Sequence, residues 1–373
     1  MKNNNPKMLL CSPLDLSSGS GIARWANHIK KYHSENDSTI SLNIFPMDRS
    51  SYIDEDINPV KRAYLGLKDY YKIVNGICTE VSKNKYDIVH VASSASISIV
   101  KDIYLLKKLR KCNVKTIIHF HFGRIPELSK ANNWEWKLIC KVVKLATKII
   151  VIDKKSYDTL INSGFDNIEF LANPLAPEIH ETIQINSDIV RNNRKILFAG
   201  HVYKTKGIFE LVEACSTIPD INLKIIGKYE EDIKSELLAI AAKHKSTDWI
   251  EFTGNLQHEK VIKAMLSCDI FVLPTYTEGF PNVILESMAC GCAIVTTPVG
   301  AIPEMLEEEN GKQYGILVSP QNVQELKEGI ETMLNNTTLK NECRINVQKR
   351  VNERYNIDVV WKQMINIWKE TIK

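Results

Sequence analysis

The 373-residue sequence contains no apolar run approaching the roughly 18 to 20 residues that a membrane-spanning helix needs. Its start, "MKNNNPKMLLCSPLDLSSGSG", has too short an apolar stretch for a secretory signal, so a cytoplasmic protein is expected. The nine cysteines are scattered, odd in number and never arranged as C-x-x-C, which argues against a disulfide framework and a structural zinc site. Cys290 and Cys292 are expected to fill small core spaces. Neither charge sign dominates, at a net +4, but the balance is uneven: residues 1–180 hold 26 Lys and Arg against 18 Asp and Glu, and the remainder 22 against 26. A basic first half could face an anionic partner.

What is present is length for two cores and an ordinary 44% hydrophobic content. In the first half the runs "KMLLCSP", "SLNIFPM", "YDIVHVAS", "VKTIIHFHFG", "TKIIVID" and "IEFLANP" alternate with amphipathic helical patterns. Several are continuously apolar, as in parallel strands buried on both faces. After a polar stretch at residues 175–193 the pattern restarts with "KILFAG", "NLKIIG", "WIEFTG", "DIFVLP", "CAIVTT" and "YGILVS". An α/β protein with two doubly wound, Rossmann-like domains follows, over residues 1–180 and 181–356. In the terminal segment 357–373, Val360, Met364 and Trp368 recur every four residues, which predicts a helix packed on the body. Ligands of such sheets bind beyond the carboxyl ends of the strands, so the strand-to-helix loops should carry the chemistry.

The stretch "EGFPNVILESMACG" at 278–291 places one carboxylate, Glu278, in a loop and a second, Glu286, inside a helix among Val283, Ile284, Leu285, Met288 and Ala289. Pro281 suits the first turn of that helix. The exposed N–H groups around Phe280 to Val283 form a positive helix end suited to phosphate. A buried Glu286 without a partner would cost several kcal/mol, so a polar ligand or a basic partner is expected; a salt-bridged structural residue is the plain alternative.

The run "PTYTEGFPNVILESMACGCAIVTTPVGAIPEML" resembles the E-x7-E signature of the retaining glycosyltransferases of family 4, which have the GT-B fold of two facing Rossmann-like domains. The resemblance continues over nearly the whole chain, through a glycine-containing N-terminal loop, a histidine strand, an "NP" near the domain junction and "AGHVYKTKG". It implies that Glu278 faces the transferred sugar and Glu286 bonds the nucleotide ribose, with Gly279, Phe280, Pro281, Asn282 and Val283 on the donor. In "AGHVYKTKG" the strand ends at Gly200. Lys206 matches the family lysine that grips the donor diphosphate, and His201 stands where the family has arginine. Histidine lacks the bidentate fork of arginine, and Lys204 is a candidate to compensate. Gly19 matches the N-terminal loop, although a G-x-G alone is equally a plain loop before a helix. In "TIIHFHFGR" His119 and His121 point to one side of a strand, and His121 matches the family's donor-sugar contact. Two histidines alone make a poor metal site. Arg124 and Glu127 are candidates to shape an acceptor pocket.

The resemblance implies a hexosyltransferase-type enzyme that moves a sugar from a nucleotide-diphosphate donor to an acceptor hydroxyl with retention, needing no cofactor or metal. A saccharide or lipid-linked saccharide acceptor, in cell-surface polysaccharide or glycolipid synthesis, is the working expectation, and no nucleic-acid partner is expected. The lysines of "KDIYLLKKLRKCNVK" and "WEWKLICKVVKLATK" fit peripheral contact with an anionic membrane at its inner face, and fit a solvated helix surface equally well. The rivals are an epimerase or phosphorolytic enzyme on the same architecture, and a non-catalytic nucleotide-sugar-binding protein.

Overall fold

The computed structural model describes residues 5–16, 20–37, 39–48, 59–94, 96, 98–244 and 246–373. The chain forms two compact units, Met1–Ala172 with Val360–Lys373, and Asn173–Val359. Each quoted apolar run is a strand.

The first unit holds β1 (Lys7–Ser12), β2 (Ser41–Pro46), β3 (Ile88–Ser93), β4 (Lys115–Phe120), β5 (Lys148–Val151) and β6 (Ile168–Phe170). They form one sheet in the order β2-β1-β3-β4-β5-β6, paired in parallel throughout. Between them run α1 (Gly21–Asn36), α2 (Pro59–Asn84), α3 (Ser98–Leu109), α4 (Ile125–Ala131), α5 (Trp134–Leu145) and α6 (Lys154–Asn162). Short polar side chains start α5 and α6: Asn133 accepts from the Trp136 N–H at 3.0 Å and Asp153 from the Ser156 N–H at 2.7 Å. Side chains of α2, α3, α4, α5 and α6 pack into one core, and those of α1 into another.

The second unit holds α7 (Pro177–Ile185) and the strands β7 (Lys195–Ala199), β8 (Asn222–Ile226), β9 (Ile250–Phe252), β10 (Ile270–Leu273), β11 (Ala293–Thr296) and β12 (Ile316–Leu317), in the order β12-β11-β10-β7-β8-β9. Its further helices are α8 (Ile208–Ser216), α9 (Glu231–Ala241), α10 (His258–Ser267), α11 (Asn282–Ala289), α12 (Ile302–Leu306), α13 (Val323–Asn335) and α14 (Thr337–Arg350). Strand order reverses between β7 and β10, so the loops after these two strands diverge at the crevice where open α/β sheets take ligands.

The last helix, α15 (Ile357–Ile372), returns to the first unit. Val360, Met364 and Trp368 are fully buried against Trp25, Ala26 and Ile29 of α1, as their spacing predicts. The Trp368 indole donates to His90 Nδ1 at 2.9 Å, and Trp361 to Asp37 at 2.7 Å. Among the described residues no helix is long and apolar enough to cross a membrane.

His90 belongs to a cluster with His119, His121 and Trp25, the His119 and His121 ring centroids lying 4.0 Å apart. Burial pushes His90 and His121 down to about 3, and pushes His119 down as well. These rings stay neutral in the folded state, whereas the unfolded chain takes up protons below about 6.5. Their contribution to stability is therefore intact above that value and is lost as pH falls toward 3, at about 1.4 kcal/mol per pH unit for each group. Both ring nitrogens of His119 lack a hydrogen-bond partner. His119→Phe should thus keep or raise stability at pH 7.5 and make its acid dependence shallower, measured by urea unfolding at several pH values. An unchanged slope would show that His119 takes no part in the acid loss.

Candidate active site

In the second unit the loops after β7 and β10 are stitched together by backbone. The Tyr276 N–H donates to Thr205 O at 2.9 Å, and the Thr275 hydroxyl to the same oxygen at 3.3 Å. Two glycines make the close approach feasible. A Cβ on Gly207 (φ +69°) would sit 1.9 Å from Pro274 O, and one on Gly300 (φ +54°) would sit 2.4 Å from Glu278 O. The Ala301 N–H then donates to Gly279 O at 2.9 Å, fixing the loop from its other side.

This stitching carries Lys206, on a short turn Lys204–Lys206, to Glu278. Lys206 Nζ donates to Glu278 Oε1 at 2.5 Å, with the two side chains 26% and 14% exposed, so the pair is held yet open to a ligand. The Tyr276 hydroxyl bonds Glu210 of α8, which braces the same loop. His201 is exposed, and its ring stacks on Tyr203 at 5.6 Å between centroids. Lys204 is exposed on the same loop. Gly200 closes β7, its N–H donating to Ile226 O at 2.9 Å.

Directly after Glu278, the backbone of Gly279 and Phe280 leads into α11. Pro281 stands at the cap rather than within the first turn, and its carbonyl accepts from Ile284 at 3.0 Å. No side chain caps this helix, so the N–H groups of Asn282 and Val283, which have no partner within a helix, face the loop end. Glu286 is buried on α11, and its Oε1 lies 3.1 Å from His258 Nε2 at the start of α10. The basic partner expected for Glu286 is therefore His258. Sequence reasoning missed it, because the contact is made only when α10 packs beside α11; its place in another carboxyl-edge loop, after β9, was the available signal. At the far end of α10 and α11, Arg191 donates to the carbonyls of Met265, Cys268, Cys290 and Gly291, clamping both helices. Cys290 and Cys292 are buried, Cys292 against Cys268 at 3.8 Å.

His121 belongs to the first unit, just beyond β4. Its N–H donates to Ser93 O at 2.9 Å, and its enclosed Nε2 has no partner. Arg124 reaches Glu135 at 3.3 Å, and Glu135 also accepts from the Ser96 N–H at 2.7 Å, tying Arg124 into the edge of that sheet. Gly19 lies outside the described residues, as does an Asp-x-Asp sequence at Asp54–Asp56. Among the described residues no three His, Cys, Asp or Glu side chains converge on a metal-sized site.

The second unit holds the segment that a family model matches. The family model of glycosyl transferases group 1 covers residues 180–350. Over these residues the chain is similar to that family. Over the whole chain, the solved sucrose-phosphate synthase from Thermosynechococcus elongatus aligns at TM-score 0.75 with 16% identity, covering 98% of each chain. HepE of Anabaena, solved in complex with UDP, aligns at TM-score 0.70 with 17% identity, covering 98% of this chain and 100% of that one. The fold is GT-B. A capsular polysaccharide biosynthesis glycosyltransferase of Staphylococcus aureus is 26% identical over 295 residues, 73% of this chain and 70% of that relative. The matched segment contains Gly200, His201, Lys206, Glu278 and Glu286 together.

Proposed function

We propose that the chain is a retaining, metal-independent glycosyltransferase that moves a sugar from a nucleotide diphosphate to a hydroxyl of a saccharide or lipid-linked saccharide, in cell-surface polysaccharide or glycolipid synthesis. The observation that carries the reading is the Lys206–Glu278 pair at the switch point beside the uncapped start of α11. Lys206 and the N–H groups of Asn282 and Val283 are suited to the charge that grows on a departing diphosphate. Once Lys206 turns to the diphosphate, Glu278 is released toward the sugar hydroxyls. In the proposed step the bond from the anomeric carbon to the diphosphate oxygen breaks. The bond to the acceptor oxygen forms on the same face, and the acceptor proton passes to the departing diphosphate. Glu286, held by His258, would accept hydrogen bonds from the ribose hydroxyls. His121 would meet the donor sugar as a neutral ring, since burial keeps it unprotonated.

The test is twofold. A panel of UDP, GDP and ADP should yield one tight binder by calorimetry, and Glu286→Ala should weaken that binding by roughly tenfold to hundredfold, the effect of losing hydrogen bonds to a charged acceptor. Transfer from the matching nucleotide sugar to a separate acceptor should yield product with the donor's anomeric configuration by NMR, and should continue in excess EDTA. Epimerised donor without transfer would favour the epimerase reading, binding without turnover the non-catalytic one, and loss in EDTA restored by a divalent ion would end the metal-independent reading.

A further inference from the structure

The outer surface of α2 and α3 carries apolar groups that packing of the first unit does not require. Along α2, Tyr64, Leu67 and Tyr71 recur at i, i+3 and i+7 and are 67%, 62% and 61% exposed. The inner face of that helix is already supplied by Ile73, Val74, Ile77 and Val81, which lie in the core. On α3, Val100 and Tyr104 are exposed in the same way, one turn apart, while Ile99, Ile103 and Leu106 face inward.

The two exposed sets form one patch. Lys108 Nζ lies 5.8 Å from the Tyr71 ring centroid and 4.9 Å from that of Tyr104, bridging the helices through their aromatic faces, and it bonds Asn75 Oδ1 at 2.7 Å. α5 continues the layer beside α3 and begins with the exposed Trp134.

The charges around the patch are sorted by sign. Lys68, Lys72, Lys107, Lys111, Lys137 and Lys141 are exposed. The acids of the same helices are withdrawn: Asp69, Asp102 and Glu135 are buried, and Glu80 is half-buried and bonded to Tyr86. Asp102 is consumed by Lys101 at 2.7 Å and by the Ser93 hydroxyl. A surface kept soluble by mixed charges would leave some acids outside.

We propose that this face of α2, α3 and α5 rests on the surface of an anionic lipid bilayer, with the lysines over the headgroups and Tyr64, Leu67, Tyr71, Val100 and Tyr104 entering the interfacial zone. Tyrosines with apolar rings and polar tips suit that depth, and lysine stems cover apolar surface while keeping their charge in water. A soluble polyanion would engage the lysines but make no use of Leu67 or Val100. The inference goes beyond the proposed transfer reaction, because the surface lies in the unit that lacks Lys206 and Glu278 and does not depend on their chemistry.

The test uses the full chain with vesicles of phosphatidylcholine alone and of phosphatidylcholine mixed with phosphatidylglycerol. The protein should co-sediment with the mixed vesicles, more weakly as salt rises, and poorly with phosphatidylcholine. Lys68→Glu/Lys72→Glu/Lys107→Glu should weaken vesicle binding by roughly a hundredfold. Tyr64→Ser/Leu67→Ser/Tyr71→Ser should weaken it by about tenfold or more. Both variants should keep the wild-type melting temperature and nucleoside diphosphate affinity, which separates this result from any failure of the donor site. Independently of variants, hydrogen exchange of the wild type on vesicles should slow in the first turns of α3 and along α2. Three results would overturn the proposal: no sedimentation with phosphatidylglycerol vesicles, protection elsewhere in the chain, or equal binding to soluble heparin with no effect of the Tyr and Leu changes.

Discussion

Replacing Lys206 by alanine should lower sugar transfer by about 10² to 10³ in turnover, the usual cost of removing one preorganised group that stabilises developing charge. The ammonium is the side-chain cation that the structure places on Glu278, with its loop fixed by the bonds from the Tyr276 N–H and the Thr275 hydroxyl to Thr205 O rather than by its own flexible stem. A cation held in this way is ready before the diphosphate departs, so its effect falls on the transition state more than on ground-state binding. The expected kinetic signature is a large fall in kcat with a smaller change in KM, in single-turnover and steady-state measurements. The fold should be little affected, since the partly exposed pair with Glu278 contributes only about 0 to 1 kcal/mol. Lys206→Arg should restore part of the rate, because it keeps the charge but spreads it over a planar fork that this loop was not shaped for. A variant with unchanged kcat and a raised KM would show that Lys206 only helps to hold the donor.

How much of this was legible beforehand depends on the range of the interaction. The twelve quoted apolar runs became strands because a strand buried on both faces records its environment in its own residues, and Val360, Met364 and Trp368 record the buried face of α15 in the same way. Glu278 and Glu286 were found because both lie within one loop and one helix start. His258 was not found, since its contact with Glu286 joins residues 28 apart in sequence through the packing of α10 on α11. Arg191 was equally hidden: a residue in a polar connecting stretch acquires four carbonyl partners only after α10 and α11 end beside it. The cap position of Pro281 differs by one residue from the expected first turn because a proline is compatible with both, and local φ preference cannot choose between them. His201 and Lys204 are both exposed on the loop after β7, and the His201 ring stacks on Tyr203, a contact two residues along the chain that no apolar pattern announces.

The buried ion pairs at the amino end of β10 should produce the largest loss of stability. Asp269 precedes that strand and is nearly inaccessible; it accepts from Lys340 Nζ at 3.0 Å, from the Arg344 guanidinium at 2.9 Å and from the Arg194 N–H at 3.0 Å. Lys340 and Arg344 stand one turn apart on α14, so one carboxylate fastens that helix to the sheet. Asp269→Ala leaves a buried ammonium facing no anion, which should cost about 3 to 5 kcal/mol. For a unit of this size that corresponds to a fall in melting temperature of roughly 10 °C. The sign of the lesson is tested by removing the cations as well. Asp269→Leu/Lys340→Met/Arg344→Leu deletes both charge types together and should recover most of the loss, because the single change is costly through the uncompensated charge and not through loss of a strongly favourable pair. Below its melting temperature Asp269→Ala should still transfer sugar, since the residue sits at the opposite end of β10 from the Glu278 loop. Calorimetric melting of the two variants decides the matter: if the single variant melts with the wild type, the buried charges are not bearing on the fold, and if the triple variant is as unstable as the single one, the pairs stabilise in their own right.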